Sequence, residues 1–364
     1  MLTLIRWIVG LLFIFSGLIK ANDPLGLSYK MQEFFEAWKL QGFHQYTLVA
    51  SYGMNVLEVV AGVAVIVGWQ MKRFAWLLLL LIVFFTFLTS YVLFSGKIHA
   101  CGCFGDCVPL TPIQTFTKDI ILLILILILF FKAQTVKPIF NKKLSVTIIL
   151  ISLIFTSALQ SYALKYLPFT DCLPYAKGKN IIEGMKLPKG AVSDSFAITF
   201  KYKKNNQIIE FDQNNFPEDF DDSYEYLDRY DKLIRKGTAL PAITDFSLTT
   251  LNGTDTTKEI LNSNTKYIML FAKDFSTINQ WKNKTFEELV AKAKEKNISF
   301  YLVTSNAEVD QKQFANLIIL KSDATVIKTA ARVNATYFFM NGSDIKEKLS
   351  YANDKKLLKT LENF

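Results

Sequence analysis

The chain has no cysteine before residue 101 and none after residue 172. That gap excludes a C-x-x-C centre anywhere in its second half. It has no internal repeat and no low-complexity run, so a solenoid or a disordered tail is not expected. Small residues are missing from the positions where a signal peptidase would cut "SGLIKAND", so the first apolar segment is expected to stay as a helix. Charge is thin over residues 1–166, with 13 basic and 6 acidic side chains; residues 167–364 hold 28 and 26. The basic excess therefore sits in loops flanking apolar segments. It reports topology, and no nucleic-acid partner is expected.

Long aliphatic runs fill the space that charge leaves. Five segments, near 3–19, 46–69, 74–95, 113–131 and 145–166, are apolar enough to cross a bilayer, which takes roughly 20 residues. Arg6 and Lys20 lie at the two ends of the first and are expected to snorkel to opposite interfaces. Lys72 and Arg73 in one loop, and Lys132, Lys137, Lys142 and Lys143 in another, fall on the same side. The positive-inside rule makes that side cytoplasmic. Residues 20–44, the cysteine loop and everything after 166 then face outward. In a bacterial cell this means the inner membrane, a cytoplasmic N-terminus and a periplasmic C-terminal region. The lipid bilayer and an envelope protein are the expected partners.

Further signals are local. "YKMQEFFEAWK" at 29–39 has apolar residues at helical spacing, fitting either a helix on the outer surface or one packed on the bundle. Residues 167–185 are rich in Pro and Gly and read as an extended linker, the start of a linker and hairpin unit over 171–238. "SFAITFKYKKNNQIIEFD" alternates around "KKNN", the pattern of a hairpin. "FPEDFDDSYEYLDRYDKLIRKG" reads as a connector with a short helix. From residue 239 strands and helices alternate: a strand in "TDFSLTTLNG", a buried strand "KYIMLFA", a helix "KTFEELVAKAKEK" and a strand "ISFYLVTS". A hairpin turning at "NGSD" and a closing helix "DKKLLKTLENF" complete a small α/β domain. The fold class is a membrane helical bundle followed by an extracytoplasmic α/β domain.

The chemistry concentrates in "HACGCFGDCVPL" at 99–110. Cys101, Cys103 and Cys107, with Cys172 beyond the fifth span, would all face an oxidising compartment, which favours disulfides or redox work. Gly102 and Gly105 permit the tight backbone that a C-x-C or C-x3-C bridge needs. "TPIQ" at 111–114 is a capping box whose helix dipole favours a thiolate nearby, opposed by Asp106. Four cysteines allow three pairings, and spacing does not choose among them. The same thiols fit two structural staples equally well. His99, Cys101, Cys103 and Cys107 form a four-ligand set, but their spacing is tighter than a zinc knuckle and no metal is expected. Glu58 is an acid inside the second span. It reads as a proton acceptor or a polar contact for a bound quinone, or as a protonated carboxyl bonded to a neighbouring helix. Lys118 and Asp119 open the fourth span and are expected to pair. His44 reads as an interfacial residue.

Two stretches carry a family resemblance. "RWIVGLLFIFSGLIKANDP", with Glu58 in "VLEVVAGVAVIVG", resembles the DoxX-like membrane proteins. "CGCFGD" followed by "TPIQTFTKD" resembles their MauE branch, over roughly residues 1–135. That resemblance implies a four-helix membrane domain tied to disulfide chemistry and to methylamine metabolism, with the span at 136–170 as an addition. "PAITDFSLTTLNG" is similar to the opening of thioredoxin-like domains, which implies such a fold for 239–364. The tail departs from that pattern: "KDFSTINQW" stands where C-x-x-C belongs, and Ala335 where a cis-proline belongs. The implied role is a thiol relay or maturation factor that uses Cys101, Cys103, Cys107 and Cys172, with a tail that docks a partner. The alternative is a non-catalytic scaffold.

Overall fold

A computed structural model describes every residue except 99, 100, 193, 194, 205, 206, 213, 214, 218, 222, 236–239, 307, 308 and 310. The first half is a helical bundle: α1 (Leu2–Asn22), α2 (Pro24–Ala37), α3 (Thr47–Val67), α4 (Met71–Ser95), α5 (Pro112–Phe131) and α6 (Lys142–Tyr166). Five of these helices, all but α2, are long and apolar enough to cross a membrane. Their bounds agree with the expected spans to within about one turn. The outward faces carry large apolar side chains such as Leu11, Leu80, Phe87, Ile124 and Ile154, exposed as lipid contact requires.

Local chemistry sets the helix ends. Thr111 caps α5 through the expected capping box with Gln114, and Pro112 takes the first turn. Gly68 and Gly96 end α3 and α4 in left-handed conformations. α2 takes the packed alternative: Ser28 meets Thr47 at 2.9 Å, and Ser51 donates to the Pro24 carbonyl at 2.7 Å. At the basic end of the bundle, Ile139 N–H donates to the Val67 carbonyl at 2.9 Å, which brings the 68–71 turn and the 132–141 loop together. Arg6 lies there too, donating to the Lys137 carbonyl at 3.3 Å.

α1 and α3 approach at glycines. A Cβ on Gly62 would stand 2.6 Å from the Gly10 carbonyl oxygen, and one on Gly17 would stand 2.7 Å from Val59. This small-residue seam is how membrane helices bring their backbones close.

Beyond α6 the chain does not run as an extended linker. A short helix α7 (Ile181–Met185) forms, Asn180 bridges to Asp344, and Tyr175 and Ile181 enter the core of the tail. Next come β1 (Ser195–Lys204), β2 (Gln207–Asp212) and β3 (Glu225–Arg235), an antiparallel sheet in the order β2-β1-β3. The β1–β2 hairpin is as expected, although Asn205 and Asn206 of its turn lie outside the described residues. β3 corrects the expected helical connector. Its Tyr, Leu and Ile content suits a strand, and β1 supplied the partner that local charge gave no hint of.

The last unit is a six-stranded sheet. In chain order its elements are β4 (Thr249–Thr250), α8 (Thr257–Leu261), β5 (Lys266–Ala272), α9 (Ile278–Trp281), α10 (Lys284–Glu295), β6 (Ser299–Thr304), β7 (Ile318–Lys321), α11 (Ala324–Ala330), β8 (Thr336–Asn341), β9 (Asp344–Ser350) and α12 (Asp354–Asn363). The strand order is β4-β7-β6-β5-β8-β9. β5, β6 and β7 run parallel, and β8 and β9 form the antiparallel hairpin. β5 is buried on both faces. Met269 and Phe271 face a core with Val326 and Ile327 of α11, while Ile268 and Leu270 face Leu289 of α10 and Leu357 of α12. The strand expected in "TDFSLTTLNG" shrinks to two residues, because Phe246 and Leu248 are buried in the core without joining the ladder.

Gly62→Val should push α1 away from α3 and destabilise the bundle by about 1–3 kcal/mol. Gly53→Ala, which meets no atom within 4 Å, should not. Thermal unfolding of the two variants in detergent tests this; equal midpoints would show that the seam does not hold the helices.

Candidate functional site

The glycine seam sets the register of α1 on α3, and the register makes an ion pair. Ser16 and Lys20 are one helical turn apart on α1, and both reach Glu58 of α3. Lys20 Nζ donates to Glu58 Oε1, and Ser16 Oγ donates to Oε2 at 2.9 Å. Lys20 and Glu58 are 2% and 1% exposed, so neither charge is shared with solvent. The expectation that Lys20 snorkels to an interface is thus corrected: a buried carboxylate in reach is a better partner than a distant headgroup. The Lys20 ammonium also lies 4.7 Å from the centre of the Phe85 ring.

The cysteine turn sits on this pair. Ser16 Oγ can also donate to the Cys103 carbonyl at 3.0 Å, so its single proton serves Glu58 or the turn. Gly105 N–H donates to the Gly102 carbonyl at 2.9 Å, closing the turn. Gly102 and Gly105 both have positive φ, +73° and +56°, a conformation that only glycine adopts at little cost. The "CGCFG" pattern is therefore a backbone requirement. On the far side, Asp119 of α5 is 1% exposed and pairs with Lys118 at 2.8 Å, as expected, and accepts from Thr89 at 3.0 Å. Lys118 Nζ sits 4.7 Å over the Phe104 ring.

The four cysteines form two unlike pairs. Cys107 and Cys172 are joined by a disulfide, with 4.9 Å between their Cα atoms. Both are half-buried. Cys101 and Cys103 are unbridged and buried, with their sulfurs 2.9 Å apart. A bond would need about 2.05 Å. The C-x3-C bridge that the glycines allowed does not form; Cys107 turns instead to the chain leaving α6. The Cys103 thiol is held below the ordinary range, mainly by the hydrogen bond from Cys101 and further by the Lys118 charge. Cys101, the donor in that bond and buried, is pushed well above it. The first proton to leave belongs to the pair, and the second leaves with difficulty.

Two spaces flank these pairs. A cleft of about 600 Å³ lies between bundle and tail, with Tyr29, Asp106, Cys172, Lys328 and Arg332 among its walls. A second cavity of about 170 Å³ lies among α2, α3 and α4, and Lys20, Cys101 and Cys103 line part of it. Glu58 does not line that cavity. It borders a smaller space with Ser16, Phe104, Lys118 and Asp119.

The tail is tied to this face by charge. Arg332, 7% exposed, bonds to Asp23 and to Asp106 at 2.8 Å each. Lys348 bonds to Asp171 at 2.6 Å, and Asn22 and Thr170 exchange two hydrogen bonds. Sequence reasoning missed Arg332, because nothing near it in the chain marks it. Lys20 and Glu58 could have been paired as two opposite charges in neighbouring spans. Among the described residues no group of three or more His, Cys, Asp and Glu is placed to hold a metal ion, and His99 of the four-ligand set lies outside those residues. Among the described residues, His44 Nε2 has no hydrogen-bond partner.

Comparison with known proteins bears on the bundle first. Residues 1–132 match the family model described as Methylamine utilisation protein MauE. Residues 196–236 match a domain of unknown function, DUF8463. Over 133 residues the chain is 31% identical to Protein TlpB of Flavobacterium psychrophilum, a match that takes in 35% of this chain and 35% of that protein. The chain thus covers about a third of that relative's length. No solved structure matches it.

Lys20→Met leaves Glu58 buried without its cation and should cost about 3–5 kcal/mol, whereas the double change Lys20→Met/Glu58→Met should recover much of it. Thermal unfolding in detergent would show it; a double variant no better than the single one would mean the carboxylate is not the liability. Alkylation of the reduced protein at stepped pH, read by mass spectrometry, should mark Cys103 first. Its depressed pKa makes thiolate available below the usual thiol range, while Cys101 stays protonated to higher pH. Lys118→Met should move the onset at Cys103 upward. Labelling of both cysteines together, as ordinary thiols, would contradict the asymmetry.

Proposed function

We propose that this protein is a membrane thiol–disulfide relay serving an envelope protein, with its cysteine face on the periplasmic side of a bacterial inner membrane. The observation that carries the reading is the pairing: one disulfide at the wall of an open cleft, and one close, unbridged dithiol buried beside it on the same turn. The basic loops at the opposite end of the bundle support the orientation. The match of residues 1–132 to a family described by methylamine utilisation supports a role in maturing a dedicated partner, and the sulfur pairs suggest that disulfides are what is matured.

The chemistry is exchange in two stages. A partner dithiol attacks the Cys107–Cys172 bond; a mixed disulfide forms, the partner's second thiolate displaces it, and the partner leaves with a new S–S bond. Cys107 and Cys172 are now thiols. They are reoxidised by exchange with a Cys101–Cys103 disulfide, which leaves that pair as two thiols. The present arrangement, bridged outside and reduced inside, corresponds to the state after this second stage. The depressed Cys103 thiol suits a leaving group.

The tail is the docking element in this reading. Its central order β6-β5-β8-β9, a parallel pair beside an antiparallel hairpin, supports the thioredoxin-like resemblance. It contains no cysteine and cannot exchange thiols itself.

A second reading keeps the fold and drops the chemistry. The Cys107–Cys172 bridge closes a loop of 65 residues and would stabilise by about 4 kcal/mol as a plain staple. Its position beside the Arg332 ion pairs favours such a role.

The two readings separate in one experiment. Native membranes are reduced, the reductant is removed, air is readmitted as the terminal oxidant, and recovery of Cys107–Cys172 is followed by thiol-specific mass tagging. The relay predicts that Cys101→Ser/Cys103→Ser slows recovery by about tenfold or more, equivalent to about 1.4 kcal/mol of barrier. Recovery at the wild-type rate leaves the staple.

A further inference from the structure

The relay leaves two electrons on Cys101 and Cys103, and the cavity of about 170 Å³ against both sulfurs is where they can be removed. Its walls include Phe34, Trp38, Met54, Phe84 and Leu88, so an occupant must be apolar over most of its surface. Phe84 also lies exposed on the outward face of α4, a helix suited to crossing the membrane, which puts the way in on the lipid side. A charged, water-borne oxidant would have to shed its hydration against aromatic walls. The size suits the reacting ring of a small aromatic head, any remainder lying toward the lipid-side opening: a cavity of roughly 150 Å³ lined by aliphatic and aromatic side chains admits benzene. Two lysines, Lys20 and Lys30, also line the cavity. Lys30 is held by Glu33, whereas buried Lys20 gives Glu58 only part of its donor capacity. An ammonium offers three N–H donors, so a carbonyl oxygen on the ring would find one.

We propose that this cavity binds the head of a lipid-soluble quinone, with its ring among the aromatic walls and a carbonyl oxygen toward Lys20, and that the quinone oxidises Cys101 and Cys103. The inference rests on the relay reading and names its terminal acceptor. Two S–H bonds break and one S–S bond forms between Cys101 and Cys103. The two electrons and two protons pass to the quinone, whose two carbonyls become hydroxyls. The hydroquinone leaves toward the lipid, and the new disulfide is ready for the next exchange with Cys107 and Cys172. Glu58 is a positioning residue here: it holds Lys20 and does not touch the ring.

The test uses the full chain, reduced, in nanodiscs free of native quinone and without oxygen. Decyl-ubiquinone or dimethylnaphthoquinone is added, quinone absorbance is followed, and the cysteine linkages are mapped by mass spectrometry. The expected result is two quinones consumed per chain, one for the Cys107–Cys172 bridge made by exchange and one that leaves a Cys101–Cys103 bridge. Ala50→Trp, which fills the cavity from α3, should slow this by about tenfold, a barrier change near 1.4 kcal/mol. Leu88→Trp, from the α4 wall, should do the same. Both variants should still form Cys107–Cys172 and still be oxidised at Cys101 and Cys103 by the hydrophilic oxidant diamide, which shows that they are folded. The proposal is overturned if neither quinone is consumed, if consumption proceeds without that bridge, or if the filled variants react at the wild-type rate. Bridging only when oxygen is admitted would identify dioxygen as the acceptor and also overturn it. Bridging by diamide but by neither quinone removes this inference alone; failure with diamide as well removes the relay.

Discussion

The buried pair between Lys20 and Glu58 is the constraint on which the rest of the membrane half depends. Two opposite charges inside a helix bundle are tolerable only while they meet, and they meet only while α1 and α3 keep one register. The glycine seam permits that register, and the charges penalise any other. Ser16 then passes the constraint upward, because its hydroxyl reaches both the carboxylate and the backbone of Cys103. A turn otherwise free to move between α4 and α5 is thereby referenced to the middle of the bundle.

On the other side of the turn the reference is made by the tail. Arg332 reaches across to Asp23, at the α1–α2 junction, and to Asp106, next to Cys107. One guanidinium joins the end of α11, the exit of α1 and the cysteine turn. Its low exposure and that of Asp23 mean that their bond is not diluted by water as surface pairs are, while Asp106 meets it from the more open side. Lys348 with Asp171 repeats the device beside Cys172. The sulfur chemistry is therefore held between two polar anchors, one below in the bundle and one above in the tail.

Much of this was legible in the sequence where the signal is local. The five spans, the capping box at Thr111, the Lys118–Asp119 pair, β5, α10, β6, the β8–β9 hairpin and α12 all follow from hydropathy, period or cap chemistry within a short window. What was not legible needed a distant partner. β3 reads as a charged connector until β1 lies beside it. β7 is four residues long, too short for a periodic signal, and α11 is little longer. Lys20 near a helix end resembles any snorkelling lysine until α3 brings Glu58 to it. The glycines of "CGCFG" allowed bridges within the turn, and only the position of Cys172 in space shows that Cys107 pairs outside it. Arg332 stands in an ordinary stretch, and only the tail's placement over the bundle gives it two partners.

The bridge from Cys107 to Cys172 also closes a covalent ring, and that ring contains α5 and α6. The sixth helix lies beyond residue 132, where the family match ends, yet it is locked to the matched part by sulfur as well as by peptide. Any pull on the tail arrives at Cys172 and divides there. One branch runs back along α6, and the other crosses the sulfur bridge directly into the turn above the glycine seam. When the bridge opens, the second branch disappears and α6 alone carries the mechanical load of whatever the tail is holding.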